Sequence, residues 1–144
     1  MHAVLDRLTR FYGWNLRVLG IEEFEWACEQ EGVSVLSLDV DAHGIYTSID
    51  GSPVIIINPR VLPRARGWVC WHEFGHHLLH CGSSCAFSYG GKSKTERQAD
   101  LVAACALIPR KLIESSTPWE IHDAYRYPIE LCEMRFRFLT EVGI

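Results

Sequence analysis

Ten residues, Trp71 to His80, read WHEFGHHLLH and hold four of the chain's seven histidines. His72 and His76 are four positions apart, a spacing that puts two side chains on one face only if the segment is an α-helix. The neighbouring residues agree, because Trp71, Phe74, Gly75 and Leu78 fall on one stripe of a helix expected from about Leu62 to His80, with Gly82 as its stop. On that helix the two imidazoles lie about 6 Å apart along the axis and can converge on one ion. Glu73 flanks such an ion without competing as a ligand. This is the mechanical sense of H-E-x-x-H, in which two imidazoles bind zinc and the glutamate removes a proton from the bound water. Shuffling the chain's seven His and 12 Glu over 144 positions would produce the pattern roughly 0.03 times, so the motif reads as a metal site.

The segments around this helix set the fold class. Val4, Leu5, Leu8, Phe11 and Tyr12 give residues 3–19 a helical period, and a second helix covers Ile21 to Glu31 before Gly32 ends it. Residues 33–40 (VSVLSLDV), 44–49 (GIYTSI) and 53–58 (PVIIIN) read as strands, the last two joined by the hairpin signal Asp50-Gly51. A small three-stranded antiparallel meander is the simplest arrangement. The stretch CGSSCAFSYGGKS reads as a loop. A helix then runs from about Thr95 to Leu107, stopped by Pro109, Thr117 and Pro118 open another, and a last one begins at Pro128. Helices, a meander packed against the histidine helix, then C-terminal helices make an α+β domain, and with no linker or repeat residues 1–144 read as one domain.

Composition narrows the functional classes. No apolar run nears the ~18 residues of a membrane span, and Asp6, Arg7, Arg10 and Arg17 interrupt the N-terminal apolar residues where a secretory signal needs them continuous. A cytoplasmic protein is expected. A net charge of -4 disfavours direct contact with nucleic acid. The charge is segregated, because residues 21–51 carry five Glu and three Asp with no Lys or Arg, while residues 60–111 carry eight basic and three acidic residues. Such a field can orient a charged protein partner. The six cysteines form no CxxC pair and read as small core residues of a reducing compartment.

A catalytic zinc site needs a third protein ligand and an open position. Glu96 and Asp100 sit four apart on the 95–107 helix and share a face with Ala103 and Leu107. That face is apolar, and a buried carboxylate needs a partner. The metal supplies one for Glu96, and the free ring N–H of a ligating histidine supplies one for Asp100. Ser93-Lys94-Thr95-Glu96 is also a capping box, which offers Glu96 a local role. His80 lies about 12 Å along the axis from His72, too far to complete the set. His77 reads as a satisfied polar contact beside Glu73. Cys81 and Cys85 with His77 or His80 are a weaker structural-zinc alternative, irregular in spacing and short of a fourth ligand. A phosphate loop at Gly90-Gly91-Lys92-Ser93 fails because Ala86 stands where its first glycine belongs. A zinc deaminase fails for want of H-x-E and P-C-x-x-C.

HEFGHHLLH, followed some twenty residues later by ERQAD and then AACALIP, resembles the ImmA/IrrE metallopeptidases. The upstream RARGWVCWHE is similar to that family's basic-then-apolar lead-in, and the likeness covers Val54 to Pro109. It implies a compact gluzincin-like (zincin) core, with His72, His76 and Glu96 as zinc ligands, Glu73 as general base and Asp100 as an outer partner of the site. It also implies a protein substrate, since several members cleave a helix-turn-helix transcriptional repressor.

One zinc per chain and hydrolysis of a peptide bond are the expected chemistry, with manganese or iron also acceptable to two imidazoles and a carboxylate. An extended substrate would pair with an edge of the meander, for which the PVIIIN strand is the natural candidate. The oxyanion donor is open among Tyr89, Arg97, His122, Tyr125 and Tyr127. The rival reading is a non-catalytic, metal-stabilised module that docks a regulatory partner through its segregated charge.

Overall fold

The computed structural model describes residues 1–80 and 93–144, and of 85–87 the backbone. Helix α1 (His2–Tyr12) ends earlier than its periodicity suggests, because Gly13 takes a left-handed φ of 71° and its N–H closes on the Leu8 carbonyl. The chain then turns Trp14 into the core, where its indole N–H donates to the Val102 carbonyl at 2.9 Å. Helix α2 (Ile21–Glu31) ends at Gly32, again left-handed, as expected.

The strands are β1 (Ser34–Ser37), β2 (Gly44–Ile49) and β3 (Ser52–Ile57). Asp50 and Gly51 both have positive φ, 51° and 81°, the geometry of a two-residue hairpin turn between β2 and β3. The sheet is mixed, not purely antiparallel. β1 pairs in parallel with β3, Ser34 beside Val54 through Ser37 beside Ile57, and the strand order is β1-β3-β2 with a fourth strand beyond β2. Val54 to Ile57 are all buried, and a continuous apolar run belongs in a sheet's interior. The exposed strand β1 is left at the edge. Asn58 secures the crossover that makes this possible, its side-chain amide donating to the carbonyls of Val40 and Ala42. The PVIIIN strand is therefore paired on both sides and has no edge to offer a substrate. The fourth strand, β4 (Cys85–Phe87), runs antiparallel to β2 within the stretch expected to be loop.

Helix α3 (Pro63–Leu79) lies on the sheet and carries the histidine motif, with proline in its first turn. It is followed by α4 (Lys94–Leu107), the short unexpected α5 (Arg110–Glu114), α6 (Pro118–Tyr125) and α7 (Ile129–Val142). Thr117 and Glu120 cap α6 reciprocally, as expected. One apolar core links Leu8, Phe24, Ile55, Trp71, Phe74, Val102 and Leu131. At its far side the buried guanidinium of Arg135 donates to the carbonyls of Ile108 and Ile144 and to the Asn15 amide oxygen. Among the described residues no helix is long and apolar enough to cross a membrane. Cys28, Cys70, Cys105 and Cys132 are buried free thiols.

α3 and α4 pack closely at Gly75. A Cβ on Gly75 would lie 3.1 Å from Ala99 Cα and Val102 Cβ and 3.2 Å from the Ala99 carbonyl oxygen. Backbone on the opposing helix cannot yield as a flexible side chain does. Gly75→Val is expected to destabilise the protein by about 1–3 kcal/mol through overpacking, read as a lower urea midpoint with an unchanged m-value; an unchanged midpoint would show that the helices separate freely here.

Candidate metal centre

The close packing of α3 on α4 places the four sequence-predicted polar residues opposite one another. His72 and His76 lie one helical turn apart and fully buried, their Nε2 atoms 3.1 Å from each other. From α4, Glu96 brings one carboxylate oxygen to 2.9 Å from His72 Nε2 and the other to 3.0 Å from His76 Nε2. The three potential ligand atoms of His72, His76 and Glu96 all lie within 4.8 Å of one another. Two imidazole nitrogens and a carboxylate oxygen are a donor set that zinc accepts, and they converge on one point with only protons available to relieve their lone pairs. The residues present fit a divalent cation.

For Glu96, only half of the capping box that its sequence context offered is formed. Its backbone N–H is capped by the Ser93 hydroxyl at 3.2 Å, while its carboxylate turns to the histidines. Asp100 receives the Nδ1–H of His72 at 2.9 Å and the indole N–H of Trp68 at 3.1 Å. That bond fixes Nδ1 on Asp100 and leaves Nε2 as the His72 nitrogen that faces the site.

The titration pattern reflects the crowding. Burial disfavours the His72 imidazolium, but its hydrogen bonds to Asp100 and Glu96 outweigh that and hold its pKa up at about 9. Burial and the neighbouring His72 charge push His76 down to about 4. Burial opposes ionisation of Glu96, yet bonding to His72 and the charges of both histidines keep its carboxyl below the usual range. A cation bound at the centre would have to displace the proton that these bonds favour on His72.

Glu73 sits beside this cluster with no hydrogen-bond partner in bonding geometry for either carboxylate oxygen among the described residues. Burial raises its pKa to about 8, opposed by the His72 charge and by the nearby backbone N–H of Tyr46. Sequence reasoning missed its neighbour Gly44, the first residue of β2. A Cβ there would lie 3.1 Å from Glu73 Cγ, 3.3 Å from its Oε1 and 2.7 Å from Val69. The signal was available, since a glycine opening a strand of larger residues marks a close approach.

The other candidates are not part of the cluster. His77 takes the polar contacts expected of it, with the Tyr46 hydroxyl at 3.1 Å and Glu31 at 3.4 Å. Glu31 is in turn bonded to Arg7 and to the Tyr12 hydroxyl. The His80 ring lies against that of His76, centroids 5.4 Å apart, outside the ligand set. His122 donates to the Tyr127 carbonyl at 2.6 Å, Tyr125 stacks on Tyr127, and Arg97 is exposed. Cys81, Tyr89 and the Gly90 to Lys92 stretch lie outside the described residues, as does the Cys85 side chain.

No curated protein sequence matches the chain. Residues 28–142 match the family described as the IrrE N-terminal-like domain, Peptidase_M78. That span contains β1 through α7, and with them His72, Glu73, His76, Glu96 and Asp100; the chain belongs to this peptidase family.

Proposed function

We propose that the protein is a zinc-dependent endopeptidase in which His72, His76 and Glu96 hold the metal and Glu73 carries the proton. The observation that carries this reading is the convergence of those three ligand atoms within 4.8 Å, beside a buried carboxylate with no hydrogen-bond partner in bonding geometry among the described residues. A zinc ion held there supplies Lewis acidity toward a carbonyl oxygen and toward water. The residues of the chain do the rest. Glu73 accepts the proton of the attacking water and delivers it to the nitrogen of the leaving amine as the peptide bond breaks. Its burial suits it to that traffic, because a desolvated carboxylate is more basic than one in water. Asp100 keeps the proton of His72 on Nδ1, so Nε2 stays available as a ligand. Gly44 keeps the β2 backbone against Glu73, which limits the rotamers open to its side chain.

The substrate we propose is a protein, and a helix-turn-helix transcriptional repressor in particular, on the strength of the family resemblance in HEFGHHLLH and ERQAD. The buried free thiols of Cys28, Cys70, Cys105 and Cys132 support action in the reducing cytoplasm.

Metal content by mass spectrometry tests the site. The purified chain is expected to carry one zinc, and His76→Ala or Glu96→Ala to lose it. Glu73→Gln is expected to retain the metal yet fall by about 10²–10⁴ in cleavage of a panel of helix-turn-helix repressors. Cleavage at the wild-type rate by that variant would refute the proton carrier, and a wild-type chain that binds repressors but leaves them intact would favour a docking module.

Asp100→Ala gives a graded prediction. Loss of its bond to His72 is expected to weaken zinc binding by about 10–100-fold, measured by competition with a chromophoric chelator. Affinity equal to the wild type would show that the ring needs no such support.

A further inference from the structure

We propose that the outer edge of β1 is a docking strand for an extended, basic segment of a protein partner. β1 ends the sheet, with β3 on its inner side. The Leu38 N–H donates to the Ile57 carbonyl at 3.3 Å, which turns the backbone groups of every second residue toward β3 and those of Val35 and Ser37 outward. Among the described residues no backbone bond joins Val35 or Ser37 to another element. Two donors and two acceptors therefore stand ready for an added strand, the arrangement used in β-augmentation.

The side chains agree. Val35, Leu36 and Leu38 are 41%, 39% and 48% exposed, and because successive residues alternate both faces of the strand carry apolar surface. Edge strands are normally guarded by a lysine, a proline, a bulge or a covering element. Residues 34–38, SVLSL, contain no charge and no proline.

Charge identifies the occupant. The parallel register sets the Asp50-Gly51 turn, just before β3, at the start of β1, while Asp39 and Asp41 follow its end, and all three aspartates are exposed. Helix α2, immediately upstream, adds five glutamates, of which Glu23 and Glu31 are paired with Arg17 and Arg7 and Glu22, Glu25 and Glu29 are exposed, and no Lys or Arg lies anywhere in 21–51. Arg60 reaches Asp39 at 3.0 Å, but both side chains are mostly exposed, and such pairs exchange readily. A second copy of the chain pairing β1 with β1 would bring two such acidic segments together, and repulsion disfavours it. A strand alternating apolar residues with Lys or Arg satisfies the open bonds, the apolar faces and the acidic ends together.

This surface is separate from the candidate metal centre. β1 lies two strand spacings, about 10 Å, from β2, whose Gly44 abuts Glu73. The proposal stands whether or not the chain is a peptidase.

Hydrogen exchange of the full chain, followed by NMR with two short peptides, tests it. A peptide alternating lysine with valine is expected to slow exchange of the Val35 and Ser37 amides about tenfold, and one alternating glutamate with valine to leave them unchanged. Asp39→Lys with Asp41→Lys, both on the exposed surface, should remove the protection without altering the fold. Equal protection by both peptides, binding that leaves these two amides unprotected, or protection that grows with protein concentration in the absence of peptide would overturn the proposal, the last in favour of self-pairing.

Discussion

The close contact of α3 with α4 at Gly75 and Ala99 is the constraint on which the site depends. Gly75 is flanked on α3 by His72 and His76, and Ala99 on α4 by Glu96 and Asp100. The point where the two backbones nearly touch is thus the centre of the polar cluster. Each helix contributes residues four apart, and the contact between them fixes how far the two pairs reach toward one another. Glu96 arrives within hydrogen-bond distance of both rings because Gly75 puts no side chain between α3 and the Ala99 backbone. Along α4 the small residues Ala103, Ala104 and Ala106 are all buried.

What surrounds the cluster limits where it can relax. Trp71 precedes the motif, fully buried, with its indole N–H on the Leu19 carbonyl at 3.2 Å and its ring edge-to-face with Phe24 and Phe74. The opposite side of α3 is held by the sheet through Gly44. Between them, His77 joins the strand residue Tyr46 to Glu31 on α2 and so to Arg7 on α1. The polar groups of α3 are distributed by face, one set to α4 and another to β2 and the N-terminal helices.

Much of this was legible in the sequence, for identifiable reasons. His72, Glu73 and His76 declare themselves because helical spacing is a local property. Glu96 and Asp100 follow because carboxylates on an apolar face demand partners, and the structure supplies those partners from α3. The strand neighbours were not legible in the same way. Periodicity reveals that residues 34–37 form a strand, but pairing is decided by distant residues. The run Val54 to Ile57 carried the relevant hint, since four buried residues in succession suit an interior strand. The end of α1 turned on one residue, Gly13, within a hydrophobic period that itself continues. β4 was concealed in a stretch rich in glycine and serine, where composition favours a loop.

The N-terminal residues illustrate how homology and physical integrity can part company. The family match begins at residue 28, yet the Trp14 indole N–H ends on the Val102 carbonyl, the Leu19 N–H on the Ala106 carbonyl, and the Leu19 carbonyl on Trp71. These bonds terminate on the two helices that carry the ligand cluster. A segment trimmed to the matched span would lose the donors to the Val102 and Ala106 carbonyls of α4 and the acceptor of the Trp71 indole N–H, and with Phe24 gone would uncover Trp71 and Phe74. Residues outside the matched span thus brace, from behind, the two helices that carry its most conspicuous cluster.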